Sequence, residues 1–169
     1  MIYRFRVILD TEEDVFRDIE IEQNDTLEQF HNVITQSFGF DGTEMASFYI
    51  SDDQWSQGEE ISLFDMSDSS DPVRLMNETT LIDVANENSP KLIYIYDFLN
   101  MWTFLVELAE IAEHETGREY PNVMYTHGQI PDEAPEKEFK TDDLDNFNDP
   151  EDFVDLDEYD DLGFNENWN

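Results

Sequence analysis

The residues best suited to metal or nucleophilic chemistry are few and widely separated in this sequence. Histidine occurs at His31, His114 and His127, and the chain contains no cysteine. A zinc site needs His or Cys ligands at short, characteristic spacings, and these three histidines do not have them. The lack of cysteine also excludes a disulfide framework and a cysteine nucleophile. We therefore interpret His31 as a histidine that is partly buried and hydrogen-bonded to its surroundings.

Carboxylates are so abundant in this sequence that their spacing does not identify a catalytic or metal site. With 43 Asp and Glu, no single pair can be selected for general acid–base catalysis. Asp155, Asp157 and Glu166 fall at positions 1, 3 and 12 of an EF-hand loop, but Tyr159 and Asp160 break the motif, the latter at its required glycine. Phosphate-binding glycine loops and nucleophile elbows are absent from the sequence. We expect weak cation binding, no specific metal site and no cofactor.

The net charge constrains the partner more than it constrains the activity. The chain has 43 acidic and 8 basic residues, a formal charge of -35. Residues 1–129 hold 27 acids and 6 bases, and residues 130–169 hold 16 acids and 2 lysines. Such a polyanion repels nucleic acids and anionic membranes and attracts basic protein surfaces. The predicted partner is therefore a basic protein or protein complex, with no direct binding to nucleic acid or membrane.

The N-terminal residues and the hydropathy pattern predict a cytoplasmic protein. The chain lacks the apolar segment of a signal peptide at its start, and no apolar run approaches the length of a membrane-spanning helix. At 169 residues it is long enough to bury a substantial core. Aromatic side chains make up 14% of the residues, and each buries a large apolar area. We expect this burial to offset the self-repulsion of the charges.

Periodic patterns predict an α+β fold. Residues 2–9 and 15–21 alternate between apolar and polar side chains, as in a β-hairpin. A helix follows, with Asp25 as its predicted N-cap, Glu28 at the capping-box position and Gly39 just past its end. Further elements are expected as strands at 45–51, 61–64 and 91–98 and as a helical turn at 79–84. Residues 102–110 fit an antiparallel partner strand, and a helix over 104–115 is the competing interpretation. This order matches a β-grasp-like mixed sheet curled around one main helix.

The composition changes at about residue 137. We predict a folded α+β domain over residues 1–136 and an acidic, largely disordered tail over residues 137–169. From Phe139 onward, large aromatic residues recur in the tail at intervals of 8, 6, 6, 5 and 4. Aromatic side chains among acids can dock on a basic, partly apolar groove. The predicted partner-binding residues of the tail are Phe147, Phe153, Tyr159, Phe164 and Trp168.

Three stretches together resemble the plasmid ORF-3-like family, whose members also carry the transposon-passenger label TnpR. Residues 16–40 resemble its strand and helix pattern xWRxIxV followed by TLxxLHxxIQxxxGW. Residues 94–102 (YIYDFLNMW) resemble YxYDFGDxW, and residues 120–133 resemble YP…G…PPEDxGG. The resemblance covers roughly residues 1–136 and implies an α+β domain with a curled sheet. It implies little about chemistry, because the family has no well-defined activity.

The family motifs also suggest a shared pocket. The residues at the matching positions are His31, Tyr96, Asp97, Trp102 and Tyr120. However, the Gly-Asp pair of the family motif is replaced by Leu99 and Asn100, and the closing Gly-Gly is missing. These departures favour binding over catalysis.

Three functional hypotheses follow from the sequence. The first is a non-enzymatic accessory protein that docks on a basic protein surface, such as that of RNA polymerase or the ribosome. The second is an enzyme of unknown reaction with a pocket near Asp97, Trp102 and Tyr120. The third is a nucleic-acid-mimic or antitoxin-like inhibitor. A resolvase is rejected, because a serine recombinase needs a nucleophilic serine among arginines and a basic DNA-binding arm, and the chain has only 8 basic residues.

Overall fold

The computed structural model describes residues 1–65 and 73–134, which belong to a unit spanning Met1–Pro135. The tail predicted over residues 137–169, with its aromatic residues, lies outside the described residues. The division at 136/137 therefore stays a prediction.

Seven strands form one sheet in the described part of the chain. They are β1 (Ile2–Leu9), β2 (Phe16–Glu22), β3 (Ala46–Ile50), β4 (Glu60–Ser62), β5 (Lys91–Tyr96), β6 (Trp102–Ala112) and β7 (Asn122–His127). Their order across the sheet is β4-β3-β5-β6-β1-β2-β7. Two helices, α1 (Leu27–Phe38) and the short α2 (Leu81–Val84), and a 3₁₀ turn at Met76–Glu78 complete the described elements. The α+β class is thus confirmed.

The directions of the strands differ from the expected mixed sheet. All six pairings between named strands are antiparallel. Strands β1 and β5 do run in the same direction, but β6 lies between them and pairs with both. The reason is the tight turn after β5, since consecutive strands joined by a short turn usually become neighbours. The competing helix over residues 104–115 is wrong, because β6 continues as a strand to Ala112.

The core lies between α1 and one face of the sheet. Tyr3, Phe5, Val7 and Leu9 of β1 are buried, as their alternation predicts. The ring of Phe30 on α1 lies 4.6 Å from the ring of Phe5 and 5.6 Å from that of Phe48 on β3. Each buried aromatic side chain contributes on the order of 2 kcal/mol through removal of apolar area from water. This contact fixes α1 across β1 and β3.

The two ends of α1 show one wrong and one confirmed prediction. Thr26 is the N-cap, and its hydroxyl oxygen accepts a hydrogen bond from the Gln29 amide at 3.2 Å. The predicted cap, Asp25, instead uses its carbonyl oxygen to accept from the Leu81 amide at 3.0 Å. At the other end Gly39 has a φ of 87°, a left-handed conformation that glycine adopts without steric cost.

Arg17 on β2 joins the end of α1 to two strands. Its side chain points to the helix face of the sheet, is 5% exposed, and stacks with its guanidinium carbon 4.4 Å from the centre of the Phe38 ring. The guanidinium donates to four carbonyl oxygens, those of Ser37 (2.8 Å), Phe16 (2.9 Å), His127 (3.1 Å) and Gly128 (3.0 Å). A cation is favourable beside the last carbonyls of a helix. Arg17 is therefore a buried clamp between α1, β2 and β7.

We predict that Arg17→Lys destabilises the fold much more than Arg6→Lys. A lysine ammonium cannot reach four carbonyls from three segments, and buried carbonyls left without donors should cost about 2 kcal/mol. Arg6 makes a bidentate pair with Asp18, but its side chain is 47% exposed, so its replacement should cost about 0.5 kcal/mol. Urea unfolding of both full-length variants measures the difference. Equal losses would show that Arg17 is not a clamp.

Candidate functional site

The face of the sheet opposite α1 carries a charged cluster centred on a buried carboxylate. Glu20 on β2 has a side chain only 1% exposed. One of its oxygens accepts from Arg4 Nε at 2.7 Å, and Arg118 and Asn122 donate to the carboxylate at 3.1 to 3.2 Å. Arg4 also contacts Glu110 at 2.8 Å. We call Arg4, Glu20, Arg118 and Asn122 the Glu20 cluster.

Two cavities open onto this face. One of about 420 Å³ is lined by Glu20, Arg118, Glu119, Asn122 and Met124. The other, of about 390 Å³, lies over β6, β1 and β2 and shares Met124. Its polar lining residues, Arg4, Arg6, Asp18, Glu107 and Glu110, are largely paired with one another. Most of the charged side chains that line the two cavities are therefore already held in ion pairs.

The electrostatics of Glu20 indicate a fixed anion. Burial alone raises the pKa of its carboxyl group, but hydrogen bonds from Arg4 and Asn122 and the charges of Arg118 and Arg4 outweigh burial and lower it. A carboxylate that is ionised and already accepts from three donors is a poor general acid or base at neutral pH. What this arrangement does is hold β1, β2 and the segment before β7 together.

Sequence patterns did not indicate this cluster. Arg4 and Glu20 lie opposite each other in the β1–β2 hairpin, and their cross-strand pairing follows from its register. Arg118, however, joins them across 98 residues of sequence. Strand β7 was also missed, because all but one of its residues are exposed and it shows no alternation of burial. The available signal is Val123, Tyr125 and Thr126, since β-branched and aromatic residues favour strands.

The predicted pocket residues fall into separate places. His31, Tyr96 and Trp102 lie in one aromatic cluster, in which the Phe40 ring is 4.7 Å from Tyr96 and 5.2 Å from Trp102. Tyr120 lies elsewhere: its hydroxyl accepts from the Glu115 amide at 3.2 Å beyond the Ala112 end of β6. Trp102 begins the same 11-residue strand, so about 33 Å of sheet separates its two ends.

Asp97 takes part in a turn rather than facing this aromatic cluster. Its carboxylate accepts from the Leu99 amide at 3.2 Å and from the Asn100 side chain at 2.6 Å. Its carbonyl oxygen accepts from the amides of Asn100 and Met101. Turn formation of this kind is a common role of Asp.

His31 is more deeply buried than expected. It is 2% exposed, and its Nδ1 lies 2.6 Å from the hydroxyl of Tyr94. Burial raises the pKa of Tyr94 well above its usual value, so this hydroxyl keeps its proton. Burial also lowers the pKa of His31 to about 4. The imidazole is therefore neutral at pH 7.

Neighbouring hydroxyl and amide groups complete this network. The Tyr96 hydroxyl donates to the Asp41 carboxylate at 3.1 Å and accepts from the Gly42 amide at 3.1 Å. Asp41 and Gly42 belong to the loop between α1 and β3. The aromatic cluster thus attaches this loop to the sheet. Among residues 1–65 and 73–134, no group of three or more His, Asp or Glu could hold a metal ion.

We predict that replacing Glu20 destabilises the fold in a pH-dependent manner. Glu20→Gln removes a buried anion from two arginines and should cost about 3 kcal/mol at pH 7. Because the folded-state pKa of Glu20 is lowered, its contribution is present above the unfolded value of about 4.5 and is lost as pH falls below it. Urea unfolding at pH 7 and pH 3.5 should show the gap between variant and wild type shrinking. Glu110→Gln, at an exposed partner of Arg4, is the matched control and should cost about 0.5 kcal/mol.

We predict that His31 weakens the fold at mildly acidic pH. The unfolded state binds a proton at about pH 6.5, whereas the folded state binds it at about 4. The contribution is therefore complete above pH 6.5 and falls towards pH 4, by up to about 3 kcal/mol. His31→Gln should flatten the decline of the unfolding free energy between pH 7 and 4.5. The exposed His114→Gln should retain the wild-type slope, and identical slopes for all three proteins would contradict the assignment.

No helix in the described part of the chain is long and apolar enough to cross a membrane. No curated protein matches the sequence. In structure, the chain is similar to a protein of unknown function, MM3350 from Methanosarcina mazei Go1, with a TM-score of 0.67 and 20% sequence identity. That similarity covers 78% of this chain and 72% of the other and shows the fold alone. The family described as plasmid pRiA4b ORF-3-like protein matches residues 1–162, as the motifs of the strand–helix unit and of the β5–β6 hairpin indicate. This chain therefore belongs to the plasmid pRiA4b ORF-3-like family.

Proposed function

We propose that this protein is a non-enzymatic cytoplasmic accessory protein that docks on the basic surface of another protein or protein complex. The observation that supports the proposal is that its Lys and Arg side chains already have partners within the fold. Every Lys and Arg of residues 1–129 is bound within the fold, in an ion pair or, for Arg17, against carbonyl oxygens. Apart from Glu20, the acids of the described residues are exposed or partly exposed. A surface of this kind attracts a basic partner and steers its approach.

Lys91 illustrates how completely the cations are used. Its ammonium lies 3.6 Å from Asp53 and 3.9 Å from Glu107, and 5.2 Å from the centre of the Trp55 ring. The side chain is 18% exposed. Lys91 is thus held between two acids and an aromatic face, and it offers little positive charge to an anionic partner.

Two finer features belong to this proposal. The described domain is β-grasp-like in its succession of strand, strand, helix, strand and strand, with β6 inserted between the two strands that run in the same direction. The acidic tail over residues 137–169 is a second contact, through Phe147, Phe153, Tyr159, Phe164 and Trp168. Two tethered weak contacts give a higher avidity than either one alone.

The other hypotheses receive less support. An enzyme using Asp97, Trp102 and Tyr120 would need these side chains to converge, but Asp97 is engaged in its own turn and Tyr120 lies beyond the far end of β6. A nucleic-acid mimic shares the negative surface and differs in its target, which would be a nucleic-acid-binding site. Addition of DNA as a competitor to the affinity purification described below would displace the partner only of a nucleic-acid mimic, and this separates the two hypotheses.

Affinity purification of the full-length protein from its native cells, followed by quantitative mass spectrometry, tests the proposal. At low salt we expect enrichment of one basic protein or complex, with a loss of tenfold or more at 0.5 M salt because the contacts are ionic. A variant with the five tail aromatics changed to serine keeps its charge and should recover several-fold less partner. Unchanged recovery of the partner in high salt would contradict the electrostatic mechanism. Unchanged recovery by the variant would show that the tail aromatics do not contribute to binding.

A further inference from the structure

The turn between β5 and β6 exposes an unusual set of side chains. We call residues 97–101 the hairpin tip. Phe98 is 42% exposed, Leu99 93% and Met101 39%. Turns normally use Gly, Asn, Asp, Ser or Pro, because these residues suit the backbone and the solvent. Leu99 is almost fully exposed and contributes little to the core, and Phe98 and Met101 are only partly covered, so these large apolar residues at the tip call for another explanation.

The backbone of the hairpin tip is held in an unfavourable conformation. Asp97 and Met101 have φ angles of 66° and 56°, in the left-handed region that costs a residue with a side chain about 1 kcal/mol or more. Hydrogen bonds maintain this shape: the Asp97 carbonyl oxygen accepts from Asn100 and Met101, and the Asp97 amide donates to the Met45 carbonyl oxygen at 2.7 Å. The tip is therefore preorganised, which lowers the entropic cost of binding through it.

Two acidic loops flank the hairpin tip. The Asp10 amide donates to the Thr103 carbonyl oxygen at 2.9 Å, which places the β1–β2 loop beside the base of the hairpin. The bond from Asp97 to Met45 places the α1–β3 loop on the other side. Together the tip and these loops contain no Lys or Arg and carry the acids Asp10, Glu12, Glu13, Asp14, Asp41, Glu44 and Asp97. Acidic loops thus lie on both sides of an apolar tip.

We infer that the hairpin tip is the centre of the docking face, with Leu99 entering an apolar pocket that lysines or arginines surround on a partner protein. The inference rests on the proposed function and adds to it the place and the chemistry of contact. Charge complementarity selects this occupant, since a second copy of this chain or an anionic membrane would be repelled by the same acids. An apolar anchor within a ring of polar contacts is the usual arrangement of an interface that binds through a few residues.

Two synthetic peptides of equal length and charge test the inference on the full-length protein. One alternates lysine with leucine, and the other has serine in place of each leucine. Calorimetry at low salt should show the leucine peptide binding about tenfold more tightly, and Leu99→Asn should remove most of that advantage. Since Leu99 is almost fully exposed, its replacement leaves the core intact, which an unchanged urea midpoint verifies.

Ile82→Asn is the matched control. Ile82 lies on α2 at the opposite end of the sheet and is 42% exposed, as Phe98 is. Its replacement should leave both affinities unchanged. If the leucine peptide keeps its advantage in Leu99→Asn, or if Ile82→Asn removes it, the apolar contact lies elsewhere and the inference is overturned.

The peptides also separate this inference from the proposed function. Equal binding of both peptides at low salt would preserve an electrostatic docking protein and overturn the role of the hairpin tip. Absence of binding by either peptide at low salt would overturn the electrostatic function itself, and the inference with it.

Discussion

Repulsion among carboxylates is the constraint that governs where the cations of this fold are placed. Residues 1–129 contain 27 acids and 6 bases. Each arginine that pairs with a carboxylate therefore reduces the electrostatic repulsion among the acids. The most costly place for a carboxylate is the interior, and Glu20 is the acid buried there with two arginines against it. Most of the other acids in the described part of the chain are exposed, so water and salt screen them. The distribution of charge thus explains both the internal stability of the sheet and the outward field.

Arg17 has a different role from the arginines that pair with acids. Its partners are carbonyl oxygens, so it satisfies backbone acceptors at the end of α1 and at the end of β7 rather than neutralising an acid. Phe38, on which it stacks, packs on Phe104 at 4.8 Å between ring centres. The cation is consequently part of the hydrophobic layer, and its neighbours belong to three different elements. Substitution of a buried arginine in such a place affects packing as well as charge.

Sequence patterns correctly predicted the features of the fold that depend on residues close together in the chain. Alternation placed β1 correctly, because burial on one face of a strand has a period of two residues, and Gly39 marked the end of α1 for a conformational reason. The N-cap was misplaced by one residue, since Asp25 and Thr26 are both good caps and only packing of the preceding loop on α2 decides between them.

Arg118 and β7 could not be found in this way, because their contacts join residues about 100 positions apart. Of the residues placed in a pocket by the motifs, His31, Tyr96 and Trp102 lie together in the aromatic cluster, and Tyr120 lies beyond the other end of β6. The sequence predicted only partial burial of His31, because the full burial of this side chain on α1 depends on its contact with Tyr94 on β5.

The position of β6 in the sheet has a consequence for how the chain acquires its structure. Strand β1 pairs on one side with β2, which follows it closely, and on the other with β6, where Ile2 meets Ala112. The second pairing closes a loop of about a hundred residues, so its entropy must be lost before the contact contributes. Folds dominated by such distant pairings form slowly. Until β6 arrives, one edge of β1 carries unsatisfied amide and carbonyl groups that could pair with another molecule. The large negative charge keeps two unfinished chains apart during that interval, so it protects the assembly of the sheet as well as shaping the finished surface.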